Sequence, residues 1–136
     1  MSLEYRRATV SFEQVHDLQK RNGLDASTTA AWHEWVFQNN PYGPAGFYCA
    51  FDGNRLVGTQ VLLPLELQLQ GRTVLSSLSN SSLIDLNYRG QGMWKQLLLL
   101  CEEGARRDGS VCIWGAPNEA SMPILRDRMG WEFVAD

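Results

Sequence analysis

Between Leu83 and Arg107 the chain places the end of an apolar strand, the turn Tyr88-Arg89-Gly90-Gln91-Gly92 and a long amphipathic run opening at Met93. No other stretch limits the fold as much. Gly90 and Gly92 remove two β-carbons, which frees left-handed dihedrals and lets a ligand approach the backbone amides. The first amides of the helix that follows have no intrahelical acceptor, and the helix dipole adds partial positive charge there. A phosphate or pyrophosphate is the natural guest. Arg89 adds a permanent charge with a planar donor fork suited to phosphate oxygens. A purely structural strand-to-helix turn can carry the same glycines, so the rest of the chain has to decide.

Two familiar phosphate motifs are excluded. No Gly-x-x-x-x-Gly-Lys-Ser/Thr run exists, and the third glycine of a dinucleotide fingerprint would fall at position 95, where Lys95 stands. At 136 residues the chain reads as a single domain, 1–136, large enough for its own core. Its net charge of -3 argues against a nucleic-acid partner held by a general basic field. Cys49, Cys101 and Cys112 lie far apart without a Cys-x-x-Cys pair, so neither a disulfide framework nor a metal site is expected. No run of about twenty apolar residues appears, and the expectation is a cytoplasmic protein without a membrane partner.

Taken in order, Glu4 to Val10 predicts a strand, and Ser11 with Gln14 predicts a capped helix running to about Lys20, stopped by Asn22-Gly23. Ser27 and Thr28 are the expected caps of a second helix with an aromatic stripe of Trp32, Trp35, Val36 and Phe37, ending before Asn40-Pro41. His33 beside this stripe, like His16, reads as a residue at a packing margin rather than a catalytic base. A hairpin follows, Phe47 to Phe51 and Leu56 to Leu63 about Asp52-Gly53-Asn54, with Gly58 marking a bulge or a close approach. Leu65 to Leu69 is a half-exposed strand, and Gly71-Arg72 turns the chain into Thr73 to Leu86. Met93, Trp94, Leu97, Leu98, Cys101 and Ala105 give the helix after the turn its apolar side, and Asp108-Gly109 ends it. Val111 to Trp114 reads as a short buried strand, Ala120 to Arg128 as a helix stopped by Gly130, and Trp131 to Val134 as a closing strand. Short connections make the early strands antiparallel, and the strand-helix-strand unit makes its two strands parallel. The fold class is therefore α+β, a largely antiparallel mixed sheet flanked by helices.

The pattern Arg-x-x-Gly-x-(Gly/Ala), carried by Arg89 and Gly92 with Trp94 in the last place, resembles the acetyl-CoA pyrophosphate loop of the GNAT acetyltransferase superfamily. Asn118 and Gly130-Trp131 match later family elements in the right order, so the resemblance covers the whole chain. Trp35, Asn40-Pro41-Tyr42-Gly43, Ala116-Pro117-Asn118 and Trp94 look like an uncharacterised subgroup, some of whose members neighbour polysaccharide genes. Relatives of that subgroup are often longer, so part of an acceptor site can lie outside this chain. The resemblance implies that amides of Gly90, Gln91, Gly92, Met93 and Trp94 hold the pyrophosphate, that Arg89 complements its charge, and that Asn118 bonds the pantetheine region. It also implies that the backbone at Leu83 and Ile84 pairs with pantetheine and polarises the thioester carbonyl, the only catalytic assignment made. The activity implied is transfer of an acetyl group from acetyl-CoA to the amine of a small molecule, such as an amino sugar, by direct attack and without metal. A second copy of the chain is the only protein partner considered.

The departures are as informative. Four residues before Gly130, near where many family members carry a tyrosine acid on the last helix, stands Arg126, read as a solvated helix charge with thiolate stabilisation as the sharper alternative. In place of a strand glutamate there is Ser76, Ser77, Ser79, Asn80, Ser81 and Ser82, leaving Asp85 and Glu66 as the remaining candidate bases. These gaps keep open a second reading, an acyl-CoA-binding sensor or interaction module without catalysis. A non-catalytic α+β domain with a structural turn is the third.

Overall fold

The computed structural model describes residues 3–24 and 27–134. Its frame is a five-stranded sheet ordered β1-β2-β3-β4-β5, with β1 Leu3–Ala8, β2 Gly46–Asp52, β3 Arg55–Leu69, β4 Arg72–Ile84 and β5 Ile113–Trp114. The first four strands pair antiparallel, and β4 pairs with β5 in parallel. Four helices flank the sheet: α1 Phe12–Arg21, α2 Ala30–His33, α3 Met93–Arg107 and α4 Met122–Arg128.

Where two strands were expected between Leu56 and Leu69, one continuous β3 runs through Pro64. A missing N–H at Pro64 costs nothing there, because β2 already ends at Gly46 opposite Leu62 and the nitrogen side of Pro64 faces that open edge. The turn into β4 is Gln70-Gly71, both with positive φ (51° and 75°), bracketed by the pair Leu69↔Arg72. Two successive left-handed residues follow the natural twist of a tight hairpin.

Strand alternation sorts the core onto the two faces of the sheet. On one face Phe47, Cys49, Phe51, Leu56, Val61 and Leu63 pack with Val10, Leu18 and Phe37. On the other, Tyr48 and Leu62 meet Cys101 and Ala105 of α3, while Ala50 and Val57 meet Met93 and Leu97. Each such large side chain contributes about 1.5–3 kcal/mol on burial. The capping box of α1 is formed, with Gln14 N donating to Ser11 Oγ at 3.1 Å and Ser11 N to Gln14 Oε1 at 2.9 Å.

Three elements differ from the sequence expectation. The second helix is capped by Thr29, whose hydroxyl accepts from Trp32 N at 3.1 Å, rather than by Ser27 or Thr28. After His33 it widens into a π turn, Glu34–Gln38, closed by Asn39 N donating to Glu34 O at 2.9 Å. That wider turn breaks the 3.6-residue stripe. Trp35 is left 70% exposed, while His33 is 4% exposed and enclosed by the rings of Phe12, Phe37 and Phe47. At the other end of the chain β5 shortens to Ile113–Trp114 with Val111 exposed, and α4 starts at Met122 after a turn closed by Asn118 and Ser121. No closing strand forms at 131–134: Trp131 N donates to Leu125 O at 3.0 Å as part of the α4 stop, and Phe133 and Val134 stand exposed.

Gly104 decides how closely α3 can approach the sheet. A β-carbon there would lie 1.9 Å from Tyr48 Oη, in a residue whose ring is 2% exposed. Gly104→Ala should therefore lower stability by roughly 1–3 kcal/mol through overpacking, although Gly→Ala in a helix interior ordinarily stabilises by about 0.5–1 kcal/mol. Thermal denaturation gives the sign directly, and a melting temperature that held or rose would contradict this packing.

Burial holds the His33 pKa below 6.5, opposed by the nearby Glu13 charge. Because the folded pKa is depressed, the unfolded chain takes the proton first, and stability falls as pH drops below the unfolded value toward the folded one. Urea midpoints at pH 7.5 and 5.5 should separate more in the wild type than in His33→Phe. Equal separations would show that His33 does not titrate between the two states.

Candidate active site

The cleft begins where β4 and β5 part. Their register holds only at Ser77↔Ile113 and Leu78↔Trp114, and Gly115 then passes so near that a β-carbon on it would sit 3.3 Å from Ser79 O. Beyond that point β4 carries a bulge. Thr59 pairs with Leu83 and Val61 with Asn80, so the single residue Gln60 faces both Ser81 and Ser82, and Ser81 adopts φ 53°. The extra residue interrupts the β3–β4 ladder at Ser81 and Ser82, and both line the space where β4 and β5 part. Gln60 was not singled out in the sequence. A lone amide among Leu56, Val57, Val61 and Leu62 was the available signal, since a buried polar group has to find partners.

Two buried side chains of β3 lock the bulge from opposite faces. Thr59 Oγ1 donates to Ser81 O at 3.1 Å. Gln60, fully buried, donates from Nε2 to Ser79 Oγ at 2.7 Å, and its Oε1 accepts from Ser82 Oγ and from Trp94 Nε1, the latter at 3.0 Å. One amide therefore joins the bulge to the first turn of α3. It also explains how Trp94 fits where the motif favours a small residue: the indole is drawn down onto Gln60, away from the helix N-terminus.

Past the bulge, Asp85 N donates to Val57 O at 2.9 Å, which turns Asp85 and, by alternation, Leu83 toward β3. Ile84 consequently faces the cleft, where its carbonyl accepts Arg89 Nε at 3.2 Å. Both expected residues, Leu83 and Ile84, line the cleft, and Ser81 and Ser82 line it beside them. The turn after β4 is braced by α1: Arg21 pairs with Asp85 and donates to Leu56 O at 2.7 Å, while Asn22 Oδ1 accepts from Leu86 N at 2.7 Å. Tyr88 Oη donates to Asp52 across the sheet, and that bond, with a lesser share from desolvation, pushes the phenol pKa up.

Gly90 and Gly92 have φ 81° and 73°, and a β-carbon on either would meet nothing within 4 Å. Space is open in front of α3. Its N-cap, Gly92, offers no side-chain acceptor, and the bond across the cap runs from Gln96 N to Gly92 O at 3.2 Å, so Met93, Trp94 and Lys95 bring their amides to the turn. The cleft encloses about 770 Å³, and Ser81, Ser82, Ile84, Arg89, Gly90, Gly92, Met93, Trp94 and Asn118 all line it. Gln91 sits in the turn, exposed and outside that lining. Asn118 has its Oδ1 occupied by Ser121, at 2.9 Å from the amide and 3.0 Å from the hydroxyl.

The remaining candidate bases and acid stand elsewhere. Asp85 is 4% exposed and tied to Arg21, and Glu66 is exposed and outside the cleft lining. Arg126 grips its neighbour Asp127, Nε to Oδ1 at 2.8 Å, and borders a different depression beside Phe133. Arg128, which the sequence reading passed over, is the α4 cation that lines the cleft. No cluster of three or more His, Cys, Asp or Glu suited to a metal occurs among the described residues.

The acetyltransferase (GNAT) domain family matches residues 4–134. The chain belongs to the GNAT acetyltransferase family. Its chemistry is acetyl transfer from acetyl-CoA, and this GNAT domain shares its fold with solved structures of low identity. Glucosamine-6-phosphate N-acetyltransferase from Arabidopsis thaliana superposes with a TM-score of 0.76 at 10% identity, over 100% of this chain and 95% of that one. A predicted acetyltransferase from Clostridium acetobutylicum, solved with acetyl-CoA, gives 0.75 at 14% identity over 98% and 92%. A GCN5-related N-acetyltransferase from Ralstonia eutropha JMP134 gives 0.75 at 17% identity over 99% and 95%. No curated protein matches the sequence.

In this GNAT domain Gln60 should behave as the shared member of a network. Gln60→Leu takes the acceptor from the Ser82 hydroxyl and the half-buried Trp94 indole N–H, at about 0.5–1.5 kcal/mol for each bond. Trp94→Phe removes one of those donors, so the double variant should lose less stability than the two single losses added together. Denaturant midpoints of the four proteins close the cycle, and strict additivity would mean that Gln60 and Trp94 are not coupled.

Proposed function

We propose that the cleft binds acetyl-CoA with its diphosphate on the amides of Gly90 to Trp94, complemented by Arg89, and its pantetheine arm along the bulged edge of β4. Supporting this is one convergence: the bulge residues Ser81 and Ser82, the strand end at Leu83 and Ile84 and the open N-terminus of α3 all line one cleft. The residues present suit the donor chemically. Amides and a guanidinium complement a diphosphate, and the N–H groups of Ser82 and Ile84 suit amide or thioester carbonyls. The carbonyl-polarising role inferred for the backbone at Leu83 and Ile84 extends to the neighbouring Ser82, which lines the same stretch of the cleft.

The acceptor is a small-molecule amine. Its nitrogen attacks the thioester carbonyl, the C–S bond breaks, and the sulfur leaves as thiolate. Among the cleft-lining residues there is no carboxylate and no histidine. The amine must therefore arrive neutral, and solvent supplies and removes protons while the cleft provides position and dipoles. An amino sugar is the first acceptor to test, because the hydroxyl-rich edge from Ser79 to Ser82 with Asn80 is neutral and suited to a polyhydroxylated substrate. The absence of a carboxylate or histidine from the described lining also favours a second reading, a domain that binds acyl-CoA without turnover.

Thiol release from acetyl-CoA with a panel of amines separates the two readings, since only an enzyme gives amine-dependent release. Site assignment is tested by calorimetry with CoA. Gly92→Asp puts a carboxylate beside the diphosphate and should abolish binding, whereas Gly92→Asn, equally tolerant of positive φ, should retain much of it. Unchanged CoA affinity in Gly92→Asp would remove the diphosphate from this turn.

A further inference from the structure

The charge of the cleft runs opposite to that of the chain. The protein carries a net charge of -3, yet the lining of this cleft holds Arg89, Lys95 and Arg128 and no aspartate or glutamate. Neighbouring acids are committed elsewhere: Asp85 to Arg21, Asp52 to Tyr88 and Asp127 to Arg126. Arg89 is anchored to Ile84 O beside the diphosphate turn. Lys95, in the first turn of α3, and Arg128, in the last turn of α4, come from different elements, and neither forms an ion pair among the described residues. Both are exposed, which places them at the rim.

A diphosphate is matched by Arg89 and the α3 N-terminus, so two cations remain without an anion. Coenzyme A carries one further anionic group, the 3′-phosphate on its ribose, with about -1.5 to -2 charge at neutral pH by analogy with other phosphomonoesters. We propose that Lys95 and Arg128 recognise this 3′-phosphate, making the domain selective for 3′-phosphorylated CoA over its 3′-dephospho form. This inference rests on the reading of the cleft as the acyl-CoA site. Lys95 acts as a mobile point charge and Arg128 as a fork that can grip two phosphate oxygens. Because the rim is wet, the preference is sensitive to ionic strength.

Calorimetric titration with CoA and with 3′-dephospho-CoA tests the proposal without an acceptor. At low salt the wild type should bind CoA on the order of tenfold or more tightly than 3′-dephospho-CoA, the scale of one or two charge-assisted contacts, and the preference should shrink in 0.5 M salt. Lys95→Gln with Arg128→Gln should bring the two affinities together by weakening CoA alone. Retained 3′-dephospho-CoA binding at the wild-type affinity then shows that the variant is folded and the diphosphate site intact. Equal affinities in the wild type, or a preference that survives both substitutions, would overturn the assignment. If the wild type bound neither ligand, the reading of the cleft itself would fail, and that outcome is distinct from equal binding of both.

Discussion

The site depends on one mismatch in strand pairing, a single buried Gln60 on β3 facing both Ser81 and Ser82 on β4. A regular ladder would keep β4 beside β5 and leave no room for an extended ligand arm between them. The extra residue interrupts the ladder there, and Ser81 and Ser82 line the space that opens. An exposed bulge with one residue at φ 53° would be soft. Here Thr59 fastens it from one face and Gln60 from the other, and Gln60 also holds the indole of Trp94. The inner end of the cleft is therefore set relative to the helix N-terminus at its outer end by hydrogen bonds across the sheet. Fixed donors of this kind need little reorganisation as charge develops on a carbonyl.

The outer end is fixed from another direction. Arg21 and Asn22, at the C-terminus of α1, reach the turn after β4 through Asp85 and the Leu86 amide. An ion pair with one partner at 6% exposure is costly to break from one side. Asp85 is consequently a structural anchor for the turn that carries Arg89, Gly90 and Gly92. The same buried pairing that holds it in place removes it from consideration as a base. Tyr88 does similar work through Asp52, at the far end of the β2–β3 hairpin. Glycine turn, first helix and hairpin form one framework around a cleft that has dipoles and cations and, among the described residues, no lining carboxylate or histidine.

What could be read from the sequence was local. The glycine turn, the amphipathic α3 and the Ser11–Gln14 box are set by residues within a few positions of one another, and they lie where periodicity and capping chemistry put them. The bulge is different in kind. Its existence depends on the register between residues some twenty positions apart, while Ser81 and Ser82 by themselves look like ordinary strand polarity. The π turn that exposes Trp35 leaves no mark in hydrophobic spacing, because it arises when His33 and Phe37 are both drawn into one aromatic cluster. Arg126 and Arg128 show the same limit. Two positions apart on a helix they point about 200° from each other, so only the packing of α4 tells which of them meets the cleft. The Trp131 to Val134 segment carries strand-forming residues but meets no partner strand, and pairing is what makes a strand.

The central claim is that an acyl-CoA lies along the bulged edge of β4 with its diphosphate on α3. It is tested most directly by titrating CoA into isotopically labelled protein and following backbone amide resonances. The account predicts saturable shifts at Ser82 and Ile84 together with Gly92, Met93, Trp94 and Lys95, and none at Arg126 or Phe133. Saturable binding that moved the resonances around Arg126 and Phe133 while leaving Ser82, Ile84 and Met93 in place would contradict it.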